Sequence, residues 1–182
     1  MIQYNNSIIY ENTRLAREKG LKFESKIQNV LETTKYKVLT EHQVTSTFGI
    51  SITAIDHLLY TDNIYFAFQD KWTKSKPSVD QIHHFIHCVN NVYEKTNKQI
   101  IGIYLSKNIL SKPSQQSFDC INNNNNNINK KIRFFSIHNN NNDDDCSLLL
   151  HKLMELLYSY DINYYDNDDS IKMFDPENIY NI

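Results

Sequence analysis

Glycine is nearly absent: Gly20, Gly49 and Gly102 are the only three in 182 residues. Glycines so few and so far apart cannot form a G-x-G-x-x-G or G-x-x-x-x-G-K-[ST] phosphate loop. Dinucleotide-fingerprint and P-loop nucleotide enzymes are therefore excluded. Cysteine is equally scarce. Cys88, Cys120 and Cys146 are odd in number and contain no C-x-x-C pair. A disulfide framework is not expected, and a reducing intracellular compartment, cytoplasm or nucleus, is expected over secretion. Long apolar runs are missing, so neither a transmembrane helix nor a membrane partner is expected. The opening residues MIQYNNSIIYENTRLAREK show no apolar signal-peptide core. There is no G-x-S-x-G and no cysteine with a motif around it, which leaves acyl-transfer chemistry without support.

What the chain has instead is 24 Asn, 22 Ile, 16 Lys and 12 Tyr, with only 3 Arg. This bias is a property of AT-rich coding. The net charge of −2 conceals a split. Residues 1–112 carry 14 Lys/Arg against 10 Asp/Glu, and residues 113–182 carry 5 against 11. An anionic partner is expected to meet the front of the chain. The length fits one domain over residues 1–160, with a core at 13–112. Asn-rich insertions are expected at 122–129 and 139–145, and an acidic, disordered tail at 161–182.

Periodicity places the elements. Residues 1–12 are polar and expected to be loose. Phe23, Ile27, Val30 and Leu31 form one stripe at a spacing of 3.6, so a helix is expected over 13–34, weakened at Gly20. Tyr36–Leu39 reads as a strand and Val44–Phe48 as strand or loop. Ser51–Tyr60 and Asn63–Trp72 read as strands joined at Thr61-Asp62-Asn63 as a hairpin. Ser78 with Gln81 has the S-x-x-Q form of a capping box and opens a second helix, with Val79, Ile82, Ile86, Val89 and Tyr93 on its inner face. The apolar run QIIGIYL (Gln99–Leu105) suits a strand buried on both faces. Ile132–Ile137 reads as a further strand and Cys146–Tyr160 as a helix. The expected class is α/β: a mixed central sheet flanked by helices, with an αβββαβ core and Asn-rich loops.

The hairpin holds the residues that could carry chemistry. Asp56 lies in A-I-D-H, and Gln69 and Lys71 in F-A-F-Q-D-K-W. Side chains alternate along a strand, so Gln69 and Lys71 share one face while Asp70 and, in a regular strand, His57 point away from Asp56. A turn near Asp62 brings Asp56 roughly opposite Gln69. One carboxylate, one amide and one ammonium then meet at the end of the hairpin, and Glu24 lies on a helix able to cross this sheet. Phosphodiester hydrolysis needs such a set. A hard divalent cation takes a few oxygen ligands plus waters. It acidifies water and offsets transition-state charge, and a lysine orients the attack or stabilises that charge.

The stretch GLKFESKIQNVL, a strand, then I-D-H and F-Q-D-K-W resembles the PD-(D/E)xK nuclease superfamily. Its Mrr-like restriction endonuclease group, with the D…Q-x-K variant of the motif, is the nearest in pattern. The resemblance covers roughly residues 20–107. It implies a restriction-endonuclease-like fold, Mg²⁺ or Mn²⁺ as cofactor, and DNA as substrate and partner. It assigns Asp56 as the metal-binding acid, Gln69 to the second acid's place, and Lys71 as the catalytic lysine. Glu24 becomes the first-helix glutamate, and the backbone carbonyl of Asp70 completes the metal site. Two departures are Ile55, where the motif has proline, and the uncharged Gln69. A Holliday-junction-resolvase-like enzyme, which would work as a homodimer, shares the core. So does a nuclease-fold protein that binds nucleic acid or protein without cutting.

Other features have plainer readings. Lys22, Lys26, Lys74 and Lys76, with Trp72, could contact phosphates. The alternative for each lysine is ordinary surface charge. Gln81 is explained by the capping box. His83 with His87, and His84 with Cys88, have the i, i+4 spacing of zinc helices, but no glutamate follows the first histidine, so satisfied histidines on a packed helix are expected. Asp143–Asp145 lacks the spacing and the glycine of an EF-hand loop.

Overall fold

The computed structural model describes residues 2–48, 53–123, 131–139 and 145–160, with side chains from Thr13 onward. Helix α1 (Ile2–Glu32) leads into β1 (Lys37–Thr40), α2 (Glu41–Phe48), β2 (His57–Tyr60) and β3 (Ile64–Lys71). Then follow α3 (Val79–Thr96), β4 (Gln99–Ser106), α4 (Lys112–Asn122), β5 (Ile132–His138) and α5 (Ser147–Tyr158). The five strands form one sheet in chain order, β1-β2-β3-β4-β5. β2 runs antiparallel to both β1 and β3, and β3, β4 and β5 run parallel. The class is α/β, with a mixed sheet between two helical layers. Most of the Asn-rich insertions and the whole of 161–182 lie outside the described residues.

Alternation along the strands divides the core. Leu59, Phe66, Phe68, Ile101 and Ile103 face Phe23, Ile27 and Leu31 of α1 and Leu149, Leu153 and Leu157 of α5. Leu58, Ala67, Ile100 and Tyr104 face Ile82, Phe85 and Val89 of α3, Val44 of α2 and Phe118 of α4. The QIIGIYL run is buried from Ile100 onward, as a strand covered on both faces requires. Gly102 fills a steric need there. A Cβ at this position would lie 2.6 Å from the Phe134 ring, which itself stacks on Phe118 at 5.1 Å.

Four expectations change. The first twelve residues are not loose: α1 reaches back to Ile2 and runs through Gly20, whose Cβ position is open. Val44–Phe48 is neither strand nor loop but part of α2. Its start is a T-x-x-Q arrangement, in which the Thr40 N–H and hydroxyl donate to Gln43 Oε1 at 2.9 and 3.2 Å, and Val44 is the buried anchor. Among the described residues of the expected strand Ser51–Tyr60, only His57–Tyr60 joins the ladder, and Thr53 and Ala54 form a turn. Helix α4 was not expected, although Ser111 as N-cap and Pro113 in the first turn are its start signals. The core therefore does not end at Lys112: α4, β5 and α5 all contribute buried residues.

Candidate active site

The hairpin forms as the sequence implies. Tyr60 pairs with Tyr65, and Thr61 Oγ1 accepts the N–H groups of Asn63 and Ile64 at 3.2 and 3.0 Å, closing the turn. The ladder continues to His57 opposite Phe68. There it departs from regular pairing. The N–H of Asp56, just before β2, also donates to the Phe68 carbonyl, at 2.8 Å, so Asp56 and His57 together face one residue of β3. This two-against-one count is that of a β-bulge, a device that re-aims side chains near sites. The carbonyl of Asp56 accepts from the N–H of Glu41, 3.0 Å away, which ties the bulge to the start of α2.

The Asp56 carboxylate takes the place of the missing ladder partner. Its Oδ2 accepts from the backbone N–H of Asp70 at 2.6 Å and from Nε2 of Gln69. Among the described residues no hydrogen bond engages its other oxygen, which remains available to a ligand. In an antiparallel ladder a residue's N–H and C=O face the same edge, so the Asp70 carbonyl opens toward Asp56 as well. Gln69 is 7% exposed, and its register partner on β4 is the buried Tyr104. Burial first, and the charge of Asp56 second, push the Tyr104 hydroxyl upward.

Burial raises the Asp56 carboxyl to about 7, with Asp70 and Glu24 adding to the shift and the Asp70 N–H opposing it. Glu24, half-buried on α1, is raised by burial and then by Asp70, while His57 and Lys71 pull it down. Three carboxyl groups thus lie within each other's field. Lys71 is half-buried at the end of β3; among the described residues no hydrogen bond or ion pair holds its ammonium, and its charge is felt by Glu24. The structure therefore brings Asp56, Gln69 and the Asp70 backbone into contact, and Glu24 and Lys71 into their field.

His57 and Asp70 were read as turned away from the chemistry. They meet each other on the α1 side of the hairpin, with Nε2 of His57 2.9 Å from Asp70 Oδ2 and side-chain exposures of 5% and 0%. The angles satisfy none of their polar atoms as full hydrogen bonds. Burial opposes the charge on His57, but Asp70, Asp56 and Glu24 outweigh it and raise the imidazole. Burial raises Asp70 too, against the pull of His57. The signal for this pair was the sequence itself, since an acid and a histidine flank the site residues one-for-one in D-H and Q-D-K. Regular alternation already turns both to one face, the face opposite Gln69, where no chemistry was expected.

The remaining candidates separate from this centre. Trp72 is not a surface aromatic: it is 8% exposed, stacks on Phe23 at 4.5 Å, and has Lys107 Nζ 5.6 Å over its ring. Lys74 and Lys76 are exposed in the loop after β3. Lys22 and Lys26 are exposed on α1 but lie about 200° around the helix from Glu24, and Lys26 Nζ donates to Cys146 Sγ at 3.7 Å. Gln81 completes the capping box, its Oε1 accepting from the Ser78 N–H at 3.0 Å and its N–H donating to Ser78 Oγ at 3.2 Å. Each histidine of α3 has its own partner: His83 with Ser117, His84 with Thr53, His87 with Asn91. Cys88 is buried in the core. Asp143 and Asp144 lie outside the described residues, and Asp145 caps Ser147.

Among the described residues no three His, Cys, Asp or Glu side chains converge as a ready metal cluster. The donors at Asp56 are of another kind: one carboxylate, one amide oxygen and one backbone carbonyl, an all-oxygen set of the sort that hard cations take. In the observed arrangement Gln69 presents its nitrogen to Asp56, so the amide must turn over to act as a ligand. None of the described helices is long and apolar enough to cross a membrane. No family model matches the chain, and neither the curated proteins nor the solved structures include a match to it.

Proposed function

We propose that this chain is a metal-dependent endonuclease that hydrolyses DNA phosphodiester bonds on a restriction-endonuclease-like core. The observation that carries the reading is the Asp56 carboxylate, held at the open end of the hairpin by Gln69 and the Asp70 N–H. The order of elements from α1 to β4 agrees with the PD-(D/E)xK pattern, with α2 as an insertion. Asp56, the Asp70 carbonyl and a turned Gln69 would hold Mg²⁺ or Mn²⁺, with Glu24 placed to hold an outer water. The cation would supply Lewis-acid stabilisation of the phosphoryl oxygens. Lys71, unpaired among the described residues and at the same strand end, orients the attacking water and offsets charge in the transition state. Lys74 and Lys76 extend from this end toward the flanking phosphates.

The test is cleavage of supercoiled, linear, single-stranded and four-way-junction DNA with Mn²⁺ or Mg²⁺. Lys71→Ala is expected to lower cleavage by about 100–1000-fold with an unchanged circular dichroism spectrum. Asp56→Ala is expected to abolish it. No cleavage of any form by the wild-type chain sinks the proposal. Preference for the junction, with dimerisation, selects the resolvase-like enzyme. A second reading, a nuclease-fold protein that binds nucleic acid without cutting, draws on the uncharged Gln69 and the raised Asp56 carboxyl, both of which weaken cation binding near neutral pH. DNA retention without saturable Mn²⁺ binding selects it.

A further inference from the structure

We propose that His57 and Asp70 are a positioning pair, fixing the Asp56 carboxylate and the Asp70 backbone in the geometry that a divalent cation needs. The inference rests on the reading of Asp56 as a metal-binding acid and assigns the residues that orient it.

The pair sits where positioning is required. His57 is the last residue of β2 in the ladder, opposite Phe68. Asp70 lies two residues further along β3, so the contact is a diagonal bridge from the last pair to the next residue on the same face. Past that point β2 no longer pairs with β3, and the strand is held only on its other edge, where Asp70 lies opposite Leu105 of β4. Yet that backbone supplies both the N–H that holds Asp56 Oδ2 at 2.6 Å and the carbonyl at the same edge. Rotation at Asp70 would swing both groups. β4 restrains one edge of this segment, and the Asp70 side chain, fully buried and 2.9 Å from His57, braces the edge that faces Asp56. His57 in turn stands next to Asp56 in the bulge, so one contact locks both strands on either side of the site.

Stability does not explain the pair. Two buried ionisable side chains whose polar atoms lack full hydrogen bonds carry a desolvation penalty, and replacing such a pair by apolar residues is often neutral or stabilising. Groups that orient ligating residues are the usual reason to retain it.

Mn²⁺ binding by calorimetric titration, together with thermal melting, tests the idea on the full chain. The variants are Asp56→Ala, the double variant His57→Leu with Asp70→Leu, Asp70→Asn, and His57→Gln. Absent wild-type binding, or binding that survives Asp56→Ala, overturns the reading of the site and this inference with it. Where wild-type binding depends on Asp56, the double variant is expected to melt no lower than wild type yet bind Mn²⁺ about 10–100-fold more weakly. Asp70→Asn, nearly isosteric, is expected to weaken binding in the same direction and answers the question if the double variant does not fold. His57→Gln keeps an N–H donor toward Asp70 and is expected to retain most of the affinity. Wild-type affinity in both Asp70 variants overturns the positioning role while leaving the metal site standing. So does an affinity loss that only follows a fall in melting temperature.

Discussion

At the scale of the residue, the acid at position 56 dominates the expected pH response of the folded chain. Its carboxyl is pushed from an ordinary 3.8 to about 7, mainly by burial. Between those values the folded chain holds a proton that the unfolded chain has released, so stability falls as pH rises across that window. Glu24 and Asp70 are raised as well and act in the same sense. His57, also raised, contributes below its ordinary 6.5 and loses that contribution as pH rises, which again is the same sense. Without added divalent cations the protein is therefore expected to melt at a higher temperature near about pH 5.5 than near about pH 8. Asp56→Asn is expected to raise the melting temperature at the higher pH and flatten the slope, while removing Mn²⁺ binding. Calorimetry across this range checks both, and a melting temperature that climbs with pH contradicts the assignment. The meeting of Asp56 and Gln69 was legible in the sequence, because strand alternation and a hairpin turn suffice to bring them together. The His57–Asp70 contact was not, because alternation turns both residues to the far face of the hairpin, where no chemistry was expected.

At the scale of the element, local capping chemistry decides where helices begin, and one cap settles a functional question. Ser78 and Gln81 satisfy each other at the start of α3. Ser78→Ala is expected to cost about 1 kcal/mol, and Gln81→Ala less. Denaturant unfolding measures both, and both variants are expected to cleave DNA at the wild-type rate if the wild type cleaves. A large rate loss in Gln81→Ala with unchanged stability would place it in the site instead. The same chemistry explains two misread segments. Thr40 with Gln43 and Ser111 with Pro113 are start signals as clear as that of α3. They went unread because α2 and α4 bury only Val44, and only Ser114 and Phe118, leaving almost no apolar period to notice. The long runs of α3 and β4 were readable for the opposite reason, since many buried residues at regular spacing leave a strong pattern.

At the scale of the whole molecule, the change in composition after Lys112 misleads. The Asn tracts interrupt a segment that is still structural: β5 pairs along β4 from Ile100 to Ser106, and α5 buries Leu149, Leu153 and Leu157 under the face that α1 also covers. A chain ending at residue 112 is expected to show no cooperative melt, which circular dichroism on the truncated protein would read. A sharp transition would make the later elements accessory. The order of strands in space also has a consequence in time. Because spatial order follows chain order, each strand can join a neighbour already synthesised, and the α3 face is complete once Phe134 has been made. The α1 face waits for Leu157. The first helix must therefore stay uncovered on one side until the last has formed. Pulse-labelled hydrogen exchange during refolding would show this as early protection of β3 and β4 and late protection of α1 and α5. Simultaneous protection of all four would mean that the two faces close in one step.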